Sequence, residues 1–76
     1  MSELNAELKK LIADTFECDV ATLTDELGPG DVPGWDSLGH VTLMTRIHEH
    51  FGKHVPMEDA IEVESIADIE AILARL

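Results

Sequence analysis

Residues 34–52 read Gly34-Trp35-Asp36-Ser37-Leu38-Gly39-His40-Val41-Thr42-Leu43-Met44-Thr45-Arg46-Ile47-His48-Glu49-His50-Phe51-Gly52, and this stretch decides the fold. Leu38, Val41, Met44, Ile47 and Phe51 recur every three or four residues, which lays them along one face of a helix. Asp36 or Ser37 supplies the N-cap, and Gly52 is a suitable residue to close the C-terminal end. No segment alternates with the period of a strand, so the remaining elements are expected to be helical too.

Working outward, Leu4, Leu8, Leu11 and Ile12 predict a first helix from roughly Glu3 to Thr15, with Ser2 as its N-cap. Downstream, Ile66, Ile69, Ile72, Leu73 and Leu76 predict another amphipathic helix, with Ser65 and Asp68 as a shortened capping box. Val55-Pro56 leads into a helix of one or two turns over 57–61, with Met57 at its first position. The fold class that follows is all-α: a small four-helix bundle of three longer helices and one short one, in a single domain over residues 1–76. The stretch from Phe16 to Asp36 is long for a loop and is punctuated by Gly28, Pro29, Gly30, Pro33 and Gly34. Val20, Leu23 and Leu27 are expected to pin it to the core.

Sixteen acidic residues against five basic ones give a formal charge of −11, the wrong sign for binding nucleic acid or anionic lipid. Basic protein surfaces are the natural complement. The charge is uneven: residues 14–36 hold seven carboxylates and no base, whereas the stretch quoted above contains Arg46, Glu49 and three of the four histidines. The acidic runs read equally well as a solvated surface or a docking surface. Cys18 stands alone, so no internal disulfide forms; it is expected to be a half-buried apolar residue in a reducing cytoplasm. The first ten residues lack the apolar run of a signal peptide, and no segment approaches a membrane span. A chain of this size leaves no room for an enzyme with a deep cleft and is expected to be a monomer.

The motif that carries chemistry is Asp36-Ser37-Leu38, where a Gly-rich loop hands over to a helix. Here the sequence resembles the acyl carrier protein family. A second match lies in Phe51-Gly52-Lys53-His54-Val55-Pro56, followed by Glu58-Asp59 and Ala60, so the resemblance covers essentially the whole chain. It implies a free-standing carrier, not an enzyme, whose Ser37 receives 4'-phosphopantetheine from coenzyme A. It further implies that Asp36 helps a phosphopantetheinyl transferase and its metal ion recognise the serine. Leu38 and Val41 are then candidate apolar contacts for partners, and Glu49, Glu58, Asp59 and Glu62 would meet basic patches on loading enzymes, synthases or transferases. Val41, Met44, Ile47, Val55 and Ile61 are expected in the core, and Met44, Ile47, Val55 and Ile61 could line space for an acyl chain.

A phosphodiester on Ser37 would sit at the positive end of a helix, worth about 0.3–1 kcal/mol at an exposed site. The competing account is that Ser37 merely caps the helix of an unmodified interaction module. Trp35 either anchors the loop or touches a partner. Carriers of bacterial fatty acid synthesis usually follow Asp-Ser-Leu with an acid, whereas this chain has Gly39, then His40, Thr42, Arg46, His48 and His50. That points to a specialised pathway, making polyketides, nonribosomal peptides, modified lipids or surface polymers, with the housekeeping fatty acid role as the alternative. Asp36, Ser37 and His40 make a poor hydrolase triad, because Asp36 adjoins Ser37 and would orient the imidazole from behind. His50 and His54 lack further ligands for a metal, and the histidines are expected to be solvent-exposed.

Overall fold

A computed structural model describes residues 3–76; the expected N-cap at Ser2 lies outside the described residues. Four α-helices follow one another, α1 (Glu3–Phe16), α2 (Ser37–Phe51), α3 (Met57–Ala60) and α4 (Ile66–Arg75), with a 3-10 turn at Val20–Thr22 and no strand among the described residues. Helix α1 ends where Glu17 takes a left-handed φ of 53° and the Cys18 amide donates to the Ala13 carbonyl, the bond that closes a Schellman-type terminus. Gly52, at φ 68°, ends α2 in the same hand. Ser65 caps α4 by accepting from the Asp68 amide, while the Asp68 carboxylate turns back to the Glu64 amide.

The core joins Leu8, Leu11 and Ile12 of α1, Leu43 and Ile47 of α2, and Ile66, Ile69 and Leu73 of α4, with Leu23, Val32 and Trp35 reaching in from the loop. Two expectations are corrected here. Helix α2 buries Leu43 and Ile47, with Met44 and Phe51 partly covered, whereas Val41 is 63% exposed and Leu38 77% exposed. Leu43, Ile47 and Phe51 have the same helical spacing as the expected stripe and share two members with it, so the helix is turned further than Val41 suggested. Ile61, also expected inside, follows the short α3 and is 77% exposed.

The long loop is held by apolar anchors and by backbone bonds together. Leu23 is buried and Leu27 partly so, but Val20 sits exposed in the 3-10 turn that Asp19 caps. The carbonyls of Leu27 and Asp25 accept from the amides of Ile66 and Ala67, first-turn donors that a helix cannot satisfy itself. This close docking explains Gly28, where a Cβ would fall 2.0 Å from the Glu64 carbonyl oxygen.

A polar knot ties α1, the loop and α4 together. Buried Asn5 donates to Asp25 Oδ1 at 3.1 Å and to Glu70 Oε1 at 2.7 Å, and Lys9 Nζ lies 2.8 Å from the same Asp25 oxygen. The Lys9 bond, then the Asn5 bond, holds the Asp25 carboxyl below its ordinary 3.8. A carboxylate lowered in this way adds stability that is complete above its ordinary value and is lost as pH falls through the folded value. Lys9→Met is therefore expected to lower the thermal midpoint at neutral pH, and the gap to wild type should narrow as pH falls below 3.8. A gap that stays constant with pH would place the contribution in packing of the Lys9 stem instead.

Candidate functional site at the start of helix α2

Ser37 is the first residue of α2 and is exposed. The competition between Asp36 and Ser37 for the cap is resolved in favour of Asp36: its Oδ1 accepts from the Gly39 amide at 2.8 Å, and its carbonyl accepts from the His40 amide at 2.8 Å. Asp36 has extended backbone angles and Ser37 helical ones, so the serine enters the helix with its hydroxyl at the surface. The amides of Ser37 and Leu38 belong to the same first turn, where N–H groups face outward along the axis.

Beside Ser37 lies a shallow groove of about 550 Å³, lined by Pro29, Gly30, Trp35, Asp36, Ser37, His40, Val41, Ala60, Ile61 and Val63. It brings together four of the residues singled out in the sequence: Asp36, Ser37, Val41 and Ile61. Leu38 opens onto the other side of Asp36, in a hollow of about 370 Å³ with Phe16, Gly34, Gly39 and Thr42. Ile47 and Val55 are core residues and Met44 is packed against that core; none of the three lines the groove. They lie on the inward side of α2 and of the α2–α3 connection.

The acidic candidates are spread out. Glu58 and Glu62 are exposed within and just after α3. Asp59 lies 3.7 Å from Arg75 and so is partly engaged inside the chain. Glu49 is twelve residues beyond Ser37 on α2, which the helical rise puts about 18 Å away.

Trp35 and His40 carry more of the site than their sequence context suggested. Trp35 is 1% exposed and stacks on Phe16 at 5.5 Å between centroids and on His40 at 6.2 Å. Its Nε1–H donates to His40 Nδ1 at 2.9 Å, which leaves Nε2 as the protonated ring nitrogen, donating to the Ala60 carbonyl at 2.8 Å. His40 is therefore half-buried and bridges the loop to α3, contrary to the expectation that the histidines are exposed; His48, His50 and His54 do lie at the surface. With both ring nitrogens engaged and Asp36 capping the helix, neither serves Ser37 as base or orienter, so the hydrolase geometry is absent. His54 meets His48 edge-on at 5.3 Å, not His50, and no group of three or more metal-binding side chains occurs among the described residues.

A surface serine thus opens α2 beside a shallow, mostly apolar groove. The sequence matches the family described as "Phosphopantetheine attachment site" over residues 6–73. The chain belongs to that family, whose members carry 4'-phosphopantetheine.

The residues present fit the group. An exposed hydroxyl and first-turn amides suit a phosphodiester, and the groove offers both polar edges at Asp36 and Ser37 and apolar walls at Val41 and Ile61. No helix among the described residues is long and apolar enough to cross a membrane.

Proposed function

We propose that Ser37 is the attachment residue and that the chain is a carrier acted on by other enzymes. The observation that carries this reading is the division of labour at the helix start: Asp36 is the cap, so the neighbouring hydroxyl is not consumed by it. In loading, a bond forms between Ser37 Oγ and the phosphorus of the phosphopantetheine half of coenzyme A as the pyrophosphate link breaks. The serine proton passes to the transferase, and adenosine 3',5'-bisphosphate leaves. The chemistry supplied by bound 4'-phosphopantetheine is a thiol on a flexible arm, which holds acyl or aminoacyl cargo as a thioester. The chain contributes position, keeping the tether point at high effective concentration for whichever enzyme is docked.

Phosphopantetheinyl transferase and acyl-handling enzymes are the partners this role requires. Leu38, Val41, Met57 and Ile61 are large exposed apolar side chains on α2, α3 and the residue after α3, and Glu58 and Glu62 stand near them in the chain. Four of the five bases are engaged internally: Lys9 with Asp25, Arg46 with Asp14, Lys53 with the Leu73 carbonyl and Arg75 with Asp59. What the surface offers a partner is thus an apolar contact rimmed by carboxylates, suited to a basic patch. We place the carrier in a specialised pathway, because the outer face of α2 presents Thr42, Thr45 and His48 with Glu49 as its one acid.

The test is to incubate the protein with coenzyme A and a broad-specificity phosphopantetheinyl transferase and measure its mass. The expected result is a gain of one phosphopantetheine, lost in Ser37→Ala and kept in Ser65→Ala, whose serine caps α4. No gain under conditions that load a control carrier would favour the unmodified interaction module.

A further inference from the structure

From the closed floor of the groove beside Ser37, we infer that this carrier holds its cargo outside the bundle, and that the cargo is a short or polar acyl group. The inference rests on Ser37 as the tether point. A chain tethered there meets the groove, whose outer walls are exposed Val41 and Ile61 and whose floor includes buried Trp35 and Val63 together with His40. Passage between α2 and α3 towards the core is barred by a continuous bridge: Trp35 Nε1–H to His40 Nδ1, and His40 Nε2–H to the Ala60 carbonyl. The bridge spans three segments, the loop before α2, α2 itself and the end of α3, and the ring stack of Phe16, Trp35 and His40 braces it from behind.

To slide an alkyl chain inward, the imidazole must leave the Ala60 carbonyl. Hydrocarbon cannot replace the lost bond, so a half-buried donor and acceptor would be left without partners. An apolar chain gains from burial only in proportion to the surface it hides. On the open groove, a long saturated chain would keep its outward side in water. A short acyl group, or one bearing hydroxyl or amino groups, loses little by remaining there. The bridge therefore makes His40 a specificity-determining residue that sets what the fold does not shelter.

The experiment loads the wild-type chain with acetyl, butyryl, octanoyl and dodecanoyl arms from the corresponding acyl-coenzyme A thioesters, using the transferase above. Thioester cleavage by hydroxylamine and amide chemical shifts are then recorded for each. The expected result is a cleavage rate constant to within about twofold across the series, a difference well under the 1.4 kcal/mol of a tenfold effect. Shift changes should be confined to the groove rim, at Ser37, Val41 and Ile61. Cleavage that slows more than about tenfold with chain length, together with shifts at Leu43 and Ile47, would show the chain entering the core and overturn the inference while leaving Ser37 as the tether point. Failure of every donor to load, with a control carrier loading normally, would remove the reading of Ser37 and this inference with it.

Discussion

Gly39→Ala should destabilise the domain by about 2–4 kcal/mol, against the usual sign for replacing a glycine inside a helix. Alanine is the better helix former by about 1 kcal/mol, and at an open position it would raise stability. Position 39 is not open. An added Cβ would lie 2.0 Å from the Gly34 carbonyl oxygen and 2.9 Å from Phe16 Cε1, and the first of these is backbone in a turn already held at a φ of 89°. Gly34 cannot retreat easily, because the neighbouring Trp35 amide and carbonyl are tied to Val32 and Gly30. In a domain of this size the loss corresponds to a fall in thermal midpoint of at least about 10 °C. Gly30→Ala is the control: its φ of 92° makes any side chain strained, but nothing lies within 4 Å, so the cost should stay near the backbone penalty of about 1–2 kcal/mol. Thermal unfolding followed by circular dichroism decides it. A Gly39→Ala chain as stable as wild type would mean that the loop does not press on α2 as described.

The same contact explains the residue at position 39. The absence of an acid after Leu38 points to a specialised pathway, yet an aspartate at position 39 would meet the Gly34 carbonyl before it met any partner. His40 bridges Trp35 to Ala60, and Arg46 pairs with Asp14 at 2.9 Å. Several departures on α2 are thus dictated by this chain's own packing. The pathway proposal is left resting on the outward residues Thr42, Thr45 and His48.

Helix positions were legible because periodicity and end signals agree. Gly52 ends α2 and Ser65 starts α4 as their residue types require, and α3 opens at Met57 directly after Pro56. The helix start that carries the proposed site was legible for the same reason, since Asp36-Ser37 marks it whichever residue is the cap. The rotation of α2 was not: stripes through Val41 and through Leu43 both pass through Ile47 and Phe51, and only the fold shows that Leu43 is the buried one and that Gly39 lies against the Gly34 backbone. Val32 and Trp35 became core residues through a loop whose bonds reach α4, a long-range outcome that local patterning does not encode. The bridging role of His40 is not legible, because a polar residue on a helix reads as surface until both of its partners are placed.

Trp35→Ala is expected to cost about 3–5 kcal/mol, comparable with the whole stability of a small domain, and to leave much of the protein unfolded near 37 °C. The indole is the largest fully buried side chain; its loss leaves a void against Phe16 and strips His40 Nδ1 of its donor. Trp35→Phe separates these effects. Phenylalanine keeps an aromatic face for Phe16 and His40 but has no N–H, so the unsatisfied imidazole nitrogen should account for about 1–3 kcal/mol of the loss. If the two residues act as one bridge, Trp35→Phe and His40→Ala should be non-additive in denaturant unfolding, with a coupling of about 0.5–3 kcal/mol. Additive losses would reduce Trp35 to a hydrophobic plug. The site should respond as well, because Asp36 and Ser37 follow Trp35 directly and Asp36 must keep its 2.8 Å bond to the Gly39 amide for the helix to begin where it does. Trp35→Phe is accordingly expected to load more slowly than wild type under conditions where it remains folded. A folded variant that loads at the wild-type rate would show that the cap holds Ser37 in place without the bridge beneath it.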